Sequence, residues 1–180
     1  NGDAEAFGLL YDRYGKKIYE FFYWRTYRRD TAEDLVSETF FKALKNIRSF
    51  DGAKGTFSAW LYRIARNAFI DQTRSKKNNE PLDESQYASD SGSFEKDADV
   101  RAAMRQVRAH LDALDGDQRD LVLMRLWDGL SWKEIAEATE KSEAACKMSF
   151  SRIITRLRSE FPRLGAILLV LAALRGVGFN

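Results

Sequence analysis

The sequence predicts an all-α protein made of two small helical domains joined by a flexible acidic linker, the second domain carrying a helix-turn-helix. Three observations lead there. Apolar residues recur at steps of three and four through most of the chain, and nothing in residues 1–75 alternates with period two for long. Residues 78–96, NNEPLDESQYASDSGSFEK, interrupt that pattern with a polar, acidic stretch. Beyond them, a short capped helix, a tight turn and a longer capped helix follow one another. At 180 residues, with 44% hydrophobic, 13% aromatic and 31% charged residues, the composition is globular. With 11 Gly and 2 Pro, collagen-like and proline-rich architectures are excluded.

In the first domain, residues 1–77, Phe7, Leu10, Tyr11, Tyr14, Ile18, Phe21 and Phe22 mark one helix. Thr31 and Asp34 read as a capping-box-like pair opening a second, with Leu35, Val36, Thr39, Phe40, Ala43, Leu44 and Ile47 along one side. The run SFDGAKG from Ser49 to Gly55 is a loop. A third helix starts near Thr56 and carries Phe57, Trp60, Leu61, Ile64, Ala65, Ala68 and Phe69.

The linker spans 78–96 and the second domain 97–160. Val100, Ala103, Met104, Val107, Leu111 and Leu114 outline a helix, and Asp115-Gly116-Asp117 breaks it. Leu121 to Leu126 form another, ended by Asp128-Gly129. Ser131 and Glu134 make a capping box, Thr139 to Lys141 a short turn, and Ser142 an N-cap for a helix reaching about Glu160. Residues 161–180 form an apolar tail. Its run Leu164–Leu174 has 11 residues, short of the ~20 needed to cross a membrane, and reads as a short helix that buries itself on the second domain or on a partner.

Charge is partitioned along the chain. Residues 1–80 hold 15 Lys+Arg against 11 Asp+Glu, residues 81–100 hold 1 against 6, and residues 101–180 hold 13 against 10. Two basic blocks flank an acidic strip, a distribution that suits nucleic-acid contact. The helix after Ser142 carries Lys147, Arg152, Arg156 and Arg158, long donors of the kind that reach phosphates and base edges. In the first domain Arg63, Arg66 and Asn67 lie close together on a helix rich in aromatics, with Trp60 a core or core-edge residue whose free edge could meet a base.

Catalysis finds no support. The one histidine, His110, has no nucleophile flanking it, and the one cysteine, Cys146, falls at an apolar position. Glu33, Asp34 and Glu38 lack the Glu-x-x-His partner of a bundle metal centre, and no glycine-rich phosphate loop exists. No cofactor and no small-molecule substrate are expected. One cysteine excludes an intramolecular disulfide and, with the opening NGDAEAF free of a signal-peptide pattern, points to a cytoplasmic setting.

Three stretches carry a family resemblance: AEDLVSETFFKAL at Ala32–Leu44, FSAWLYRIARNAFID at Phe57–Asp71, and the run from Leu114 through LSWKEIAEATEKS to Arg158. Together they resemble the extracytoplasmic-function type of bacterial sigma factor, an initiation subunit of RNA polymerase. The resemblance implies a promoter-specificity subunit that is not an enzyme. It implies core RNA polymerase docking through Asp34, Leu35, Glu38 and Phe40. Reading of the melted −10 element would fall to Phe50, Asp51, Lys54, Thr56, Trp60, Arg63, Arg66 and Asn67, with the loop 49–56 taking up a flipped base. Reading of the duplex −35 element would fall to Ser142, Lys147, Ser151, Arg152 and Arg156. The linker would thread the polymerase cleft toward the RNA exit path. An anti-sigma factor is the expected inhibitor, able to hold the protein at the inner membrane when it is itself a membrane protein; otherwise the nucleoid is the expected location. The tail departs most from the family and is assigned to contact with an anti-sigma partner, self-association, an incomplete membrane span or packing within the chain. Ala145 and Ser149 also depart, standing where the family commonly has Thr and a basic residue. Two rivals share the residues: a stand-alone helix-turn-helix regulator, and an interaction adaptor that never touches DNA.

Overall fold

The computed structural model describes residues 4–79 and 98–160; most of the acidic linker and the whole apolar tail lie outside them. Every regular element among the described residues is helical. The chain divides into two compact units, Asn1–Asp90 and Ser91–Asn180, and each is described by itself.

The first unit comprises α1 (Ala4–Thr26), α2 (Arg29–Asn46), a single 3-10 turn (Ile47–Ser49) and α3 (Phe57–Asn79). Helix α2 packs on both neighbours, and α1 also meets α3. Ile18, Phe21, Phe22, Leu35, Leu61 and Tyr62 fill the centre, essentially without solvent contact. The Phe21 ring lies 5.5 Å from both Phe22 and Tyr62, edge-on to the latter, a favoured aromatic geometry. Small buried residues, Ala32 and Ala43 on α2 and Ala59, Ala65 and Ala68 on α3, let the helices approach closely. Thr39 is buried without penalty because its hydroxyl donates to the Leu35 carbonyl at 2.7 Å.

Helix α2 begins two residues before the Thr31 start that the sequence suggests. Tyr27 adopts φ 52°, and Arg28 in an extended conformation is the N-cap, without a side-chain cap bond. Thr31 sits inside the first turn and is buried, its amide donating to the Asp30 carboxylate. Arg28 grips the same carboxylate at 2.7 Å. That hydrogen bond, reinforced by the Thr31 amide, holds the Asp30 carboxyl well below the usual carboxylate range. The real start is therefore built from an ion pair next to a left-handed tyrosine, where a Thr-x-x-Asp reading looked for a capping box.

In the second unit α4 (Ala98–Asp112) leads to α5 (Gly116–Val122), which continues as a π-helical turn (Leu123–Trp127). Helices α6 (Trp132–Thr139) and α7 (Glu143–Glu160) follow. Asp115 caps α5 by accepting from the Gln118 amide at 2.8 Å. The Asp128 amide reaches back five residues to the Leu123 carbonyl, which defines the π turn. Gly129 then takes φ 71°, and the Leu130 amide closes on Met124 at 3.0 Å, so the bend has the form of a Schellman stop. Leu121 to Met124, Leu126, Leu130, Ile135, Cys146, Phe150, Ile153, Ile154 and Leu157 bury one another, with Val107, Leu111 and Leu114. Arg125 fixes the bend from outside: it donates to the Leu130 carbonyl at 2.9 Å and lies 4.5 Å from the Trp132 ring centre.

Ser131 and Glu134 form the expected capping box. At the other end of α6, Glu140 occupies the left-handed region (φ 58°), and the Lys141 amide bonds to Ala136 at 3.1 Å. The turn that lacks a glycine in sequence thus places a glutamate in the glycine conformation. A β-carbon is disfavoured there, and a carboxylate at a helix C-terminus is unfavourable as well. Glu140→Gly should therefore make the second unit more stable by about 0.5–1 kcal/mol, read as a higher urea midpoint; an unchanged or lower midpoint would contradict the account.

Candidate nucleic-acid and protein interfaces

Helix α7 presents two clean faces. Cys146, Phe150, Ile153, Ile154 and Leu157 are buried, and the Cys146 thiol lies 3.7 Å from the buried Thr139 hydroxyl. On the opposite side Glu143, Ala144, Lys147, Met148, Ser151, Arg152, Thr155 and Arg156 are exposed, in pairs one turn apart. Lys147, Ser151, Arg152 and Arg156 therefore share one solvent-facing stripe. Ser142 lies at its head as the N-cap, accepting from the Ala145 amide at 3.1 Å. Lys147 is held loosely by Glu143 at 3.8 Å, and both are half exposed, so the pair contributes little to stability. Ala145 and Ser149 are half-buried, off the centre of the stripe. Lys141 donates to Asp117 at 2.7 Å, tying the turn before α7 to the start of α5. The helix is thereby docked at its buried face and at its entrance, leaving the basic stripe free for a ligand.

In the first unit the loop before α3 encloses three rings. Phe50, Phe57 and Trp60 stand 5.4–5.6 Å apart, centre to centre, and each is half-buried. Around their rim Asp51, Lys54 and Thr56 are exposed. The loop occupies part of its own polar capacity: Asp51 accepts from the Ala53 amide at 3.0 Å and pairs with Lys54 at 3.3 Å, while the Thr56 hydroxyl caps α3 through the Ala59 amide at 3.2 Å. Further along α3, Arg63 and Arg66 are half-buried and Asn67 is exposed. An aromatic pocket edged by hydrogen-bonding groups and followed by cations has the parts needed to stack and read an unpaired base.

The outer face of α2 differs from the expectation drawn from its sequence. Leu35 and Phe40 are core residues; Phe40 is 4% exposed and packs against Tyr11 at 4.7 Å and Phe7 at 6.1 Å. Neither offers a surface to a partner in this fold. The apolar groups that α2 does expose are Phe41, at 67%, and Leu44, at 48%, the second of which the sequence reading had placed on the buried side. Asp34 is exposed and Glu38 half-buried. Glu38 accepts from Lys42 at 2.7 Å, and Lys42 also reaches Asp71 on α3 at 3.5 Å. The Glu38 hydrogen bond leads in holding the proton on Lys42 more tightly than usual. Phe41 could have been found from the sequence: Ala32, Leu35, Val36, Thr39, Phe40 and Ala43 already complete a buried stripe at helical spacing, so the second phenylalanine of Phe40-Phe41 has to turn outward.

Among the described residues no three His, Cys, Asp or Glu side chains gather as a metal site, and no helix is long and apolar enough to cross a membrane.

Comparison with known proteins matches the two units to two parts of one family. The family model described as Sigma-70 region 2 matches residues 10–79, and that described as Sigma-70, region 4 matches residues 104–157. The chain is 35% identical over 168 residues to the ECF RNA polymerase sigma factor BldN of Streptomyces coelicolor; the match covers 89% of this chain but 62% of BldN, so the chain spans less than two thirds of that relative. It is 35% identical over 148 residues to the ECF RNA polymerase sigma factor SigW of Bacillus subtilis, covering 76% of this chain and 78% of SigW. Among solved structures, the sigma factor RpoE in complex with the anti-sigma factor NepR from Bartonella quintana has the same fold, with a TM-score of 0.66 at 23% identity over 87% of this chain and 96% of that one.

Proposed function

The chain belongs to the extracytoplasmic-function group of the sigma-70 family, promoter-specificity subunits of bacterial RNA polymerase, and we propose that its two units divide promoter reading between them. The first unit docks on core RNA polymerase and captures bases of the melted −10 strand; the second reads the −35 duplex. The observation that carries this reading is the stripe on α7, where Lys147, Ser151, Arg152 and Arg156 face solvent on a helix whose other side is locked into a core.

The residues divide the work by their chemistry. On α7 the cations hold phosphates and Ser142, Lys147, Ser151 and Arg152 meet base edges in the major groove. In the first unit the ring triangle of Phe50, Phe57 and Trp60 offers a stacking surface, Asp51, Lys54 and Thr56 bond the edge of a flipped base, and Arg63, Arg66 and Asn67 follow the strand upstream. Capture of an unpaired base offsets the few kcal/mol lost on unstacking it, which is how binding favours melting. On α2, Asp34 and Glu38 with the exposed Phe41 and Leu44 form the docking face for polymerase, and Leu35 and Phe40 hold that helix in position from inside. The protein contributes no bond-making group; the polymerase performs the phosphoryl chemistry. An anti-sigma factor that covers these faces would silence the protein, and the site of action is the bacterial cytoplasm.

Run-off transcription with purified core polymerase tests the proposal. Transcripts from one class of promoter should appear only when this chain is added. Arg66→Ala and Lys147→Ala should each lower them about tenfold, the scale of one lost charge-assisted contact to DNA. Failure to associate with core polymerase at submicromolar concentration would overturn the reading.

A further inference from the structure

Among the described residues of the second unit, Met148 is the one large apolar side chain left exposed, at 57%. A solitary apolar residue on a surface is unremarkable in itself. Its position is what gives it meaning. At about 100° per residue, Met148 lies opposite the arc formed by Cys146, Phe150, Ile153 and Leu157, on the midline of the solvent-facing stripe. Lys147 and Arg152 border it, and Ala144 and Ser151 stand one turn before and after it, all exposed or at the surface. Those cations draw in a polyanion on both sides of the thioether. The side chain on the midline then penetrates deepest into whatever the stripe covers.

Over most of a major groove a methionine would be a poor neighbour. It offers no strong donor or acceptor, so pressing it against the O6 and N7 of guanine or the N4 of cytosine strips water from those groups and returns no hydrogen bond. The groove presents one apolar group, the C5-methyl of thymine. An unbranched, polarizable thioether is well suited to close over a methyl whose height in the groove varies with local shape.

We propose that Met148 is a specificity-determining residue that reads a thymine C5-methyl group in the upstream promoter element. It favours an A·T pair at its position by burying the methyl, and disfavours a G·C pair by leaving polar edges dry. The proposal rests on α7 being the helix that enters the major groove, as inferred above.

The test uses holoenzyme assembled from core polymerase and the full chain. A DNA duplex pool randomised over the upstream element is enriched by binding, and each thymine of the enriched element is then replaced singly by deoxyuridine. That exchange removes one methyl and leaves every Watson–Crick group in place. One such replacement should weaken wild-type binding about fourfold, the effect expected for one buried methyl. Holoenzyme carrying Met148→Ala should bind the thymine and uracil duplexes alike, and Met148→Leu should restore most of the difference. Because Met148 is exposed, Met148→Ala should leave the thermal unfolding midpoint unchanged, which separates lost reading from lost folding. A thymine-to-uracil difference that persists in Met148→Ala overturns the proposal. So does the absence of any methyl-sensitive position with the wild type, or an enriched element without A·T pairs. Failure to enrich any upstream element at all would instead overturn the reading of α7, and the proposal with it.

Discussion

Replacing Phe21 with alanine should leave the first unit largely unfolded at 37 °C. The side chain is 1% exposed and touches two further rings, Phe22 and Tyr62, at 5.5 Å each. Removing a buried phenylalanine costs about 3–5 kcal/mol, the transfer of the ring plus the cavity it leaves. A unit of this size has a total stability of only about 5 kcal/mol. The surroundings cannot collapse to fill the space, because the neighbours on α3 are alanines, Ala65 and Ala68, with nothing to extend. Urea unfolding followed by tryptophan fluorescence can report it: Trp24 and Trp60 lie in the first unit and Trp127 and Trp132 in the second. Phe21→Leu should retain most of the stability, since it keeps more of the volume. A Phe21→Ala protein with a wild-type midpoint would show that the three rings do not form the core described.

Loss of Arg152 and Arg156 together should weaken promoter binding by at least tenfold at moderate salt and flatten its salt dependence. Both guanidinium groups project from the exposed side of α7, where each neutralised phosphate releases condensed counterion. The slope of log affinity against log salt falls by about 0.9 for each phosphate contact removed, so the double alanine variant should lose nearly two units of slope. A side chain that instead reads a base edge contributes about 1–3 kcal/mol of discrimination and changes the preferred sequence. Comparing the single variants across salt and across element sequences therefore assigns each arginine a role. Binding with unaltered affinity and slope would mean that the stripe does not face DNA.

Much of this arrangement was legible in the residues because helical spacing and caps are local properties. The Ser131–Glu134 box, the Asp115 and Ser142 caps and the loop before α3 follow from short patterns whose physics involves only neighbours in sequence. The stripe on α7 was readable for the same reason: a helix with Phe150, Ile153, Ile154 and Leu157 facing inward must turn Lys147, Ser151 and Arg152 outward. What could not be read depended on partners remote in sequence. Phe40 and Phe41 are chemically identical neighbours, and only the presence of Phe7 and Tyr11 across the helix interface makes the first of them core. The start of α2 was misplaced because the Arg28–Asp30 pair and the left-handed Tyr27 have no compact sequence signature. The π turn at Leu123–Trp127 left none either, since an apolar run such as LVLMRLW fits either winding.

That turn has a consequence for how the second unit tolerates change. A π turn amounts to one residue more than regular α winding needs, absorbed as a local bulge. Excising a single residue between Leu123 and Trp127 would let the helix rewind and swing everything beyond it by about 100°, carrying Gly129, Leu130 and the Arg125 latch out of alignment with α6. Single-residue deletions in this stretch should accordingly be far more damaging than point substitutions at its half-exposed positions: the frame of the DNA-facing helix is counted off from here.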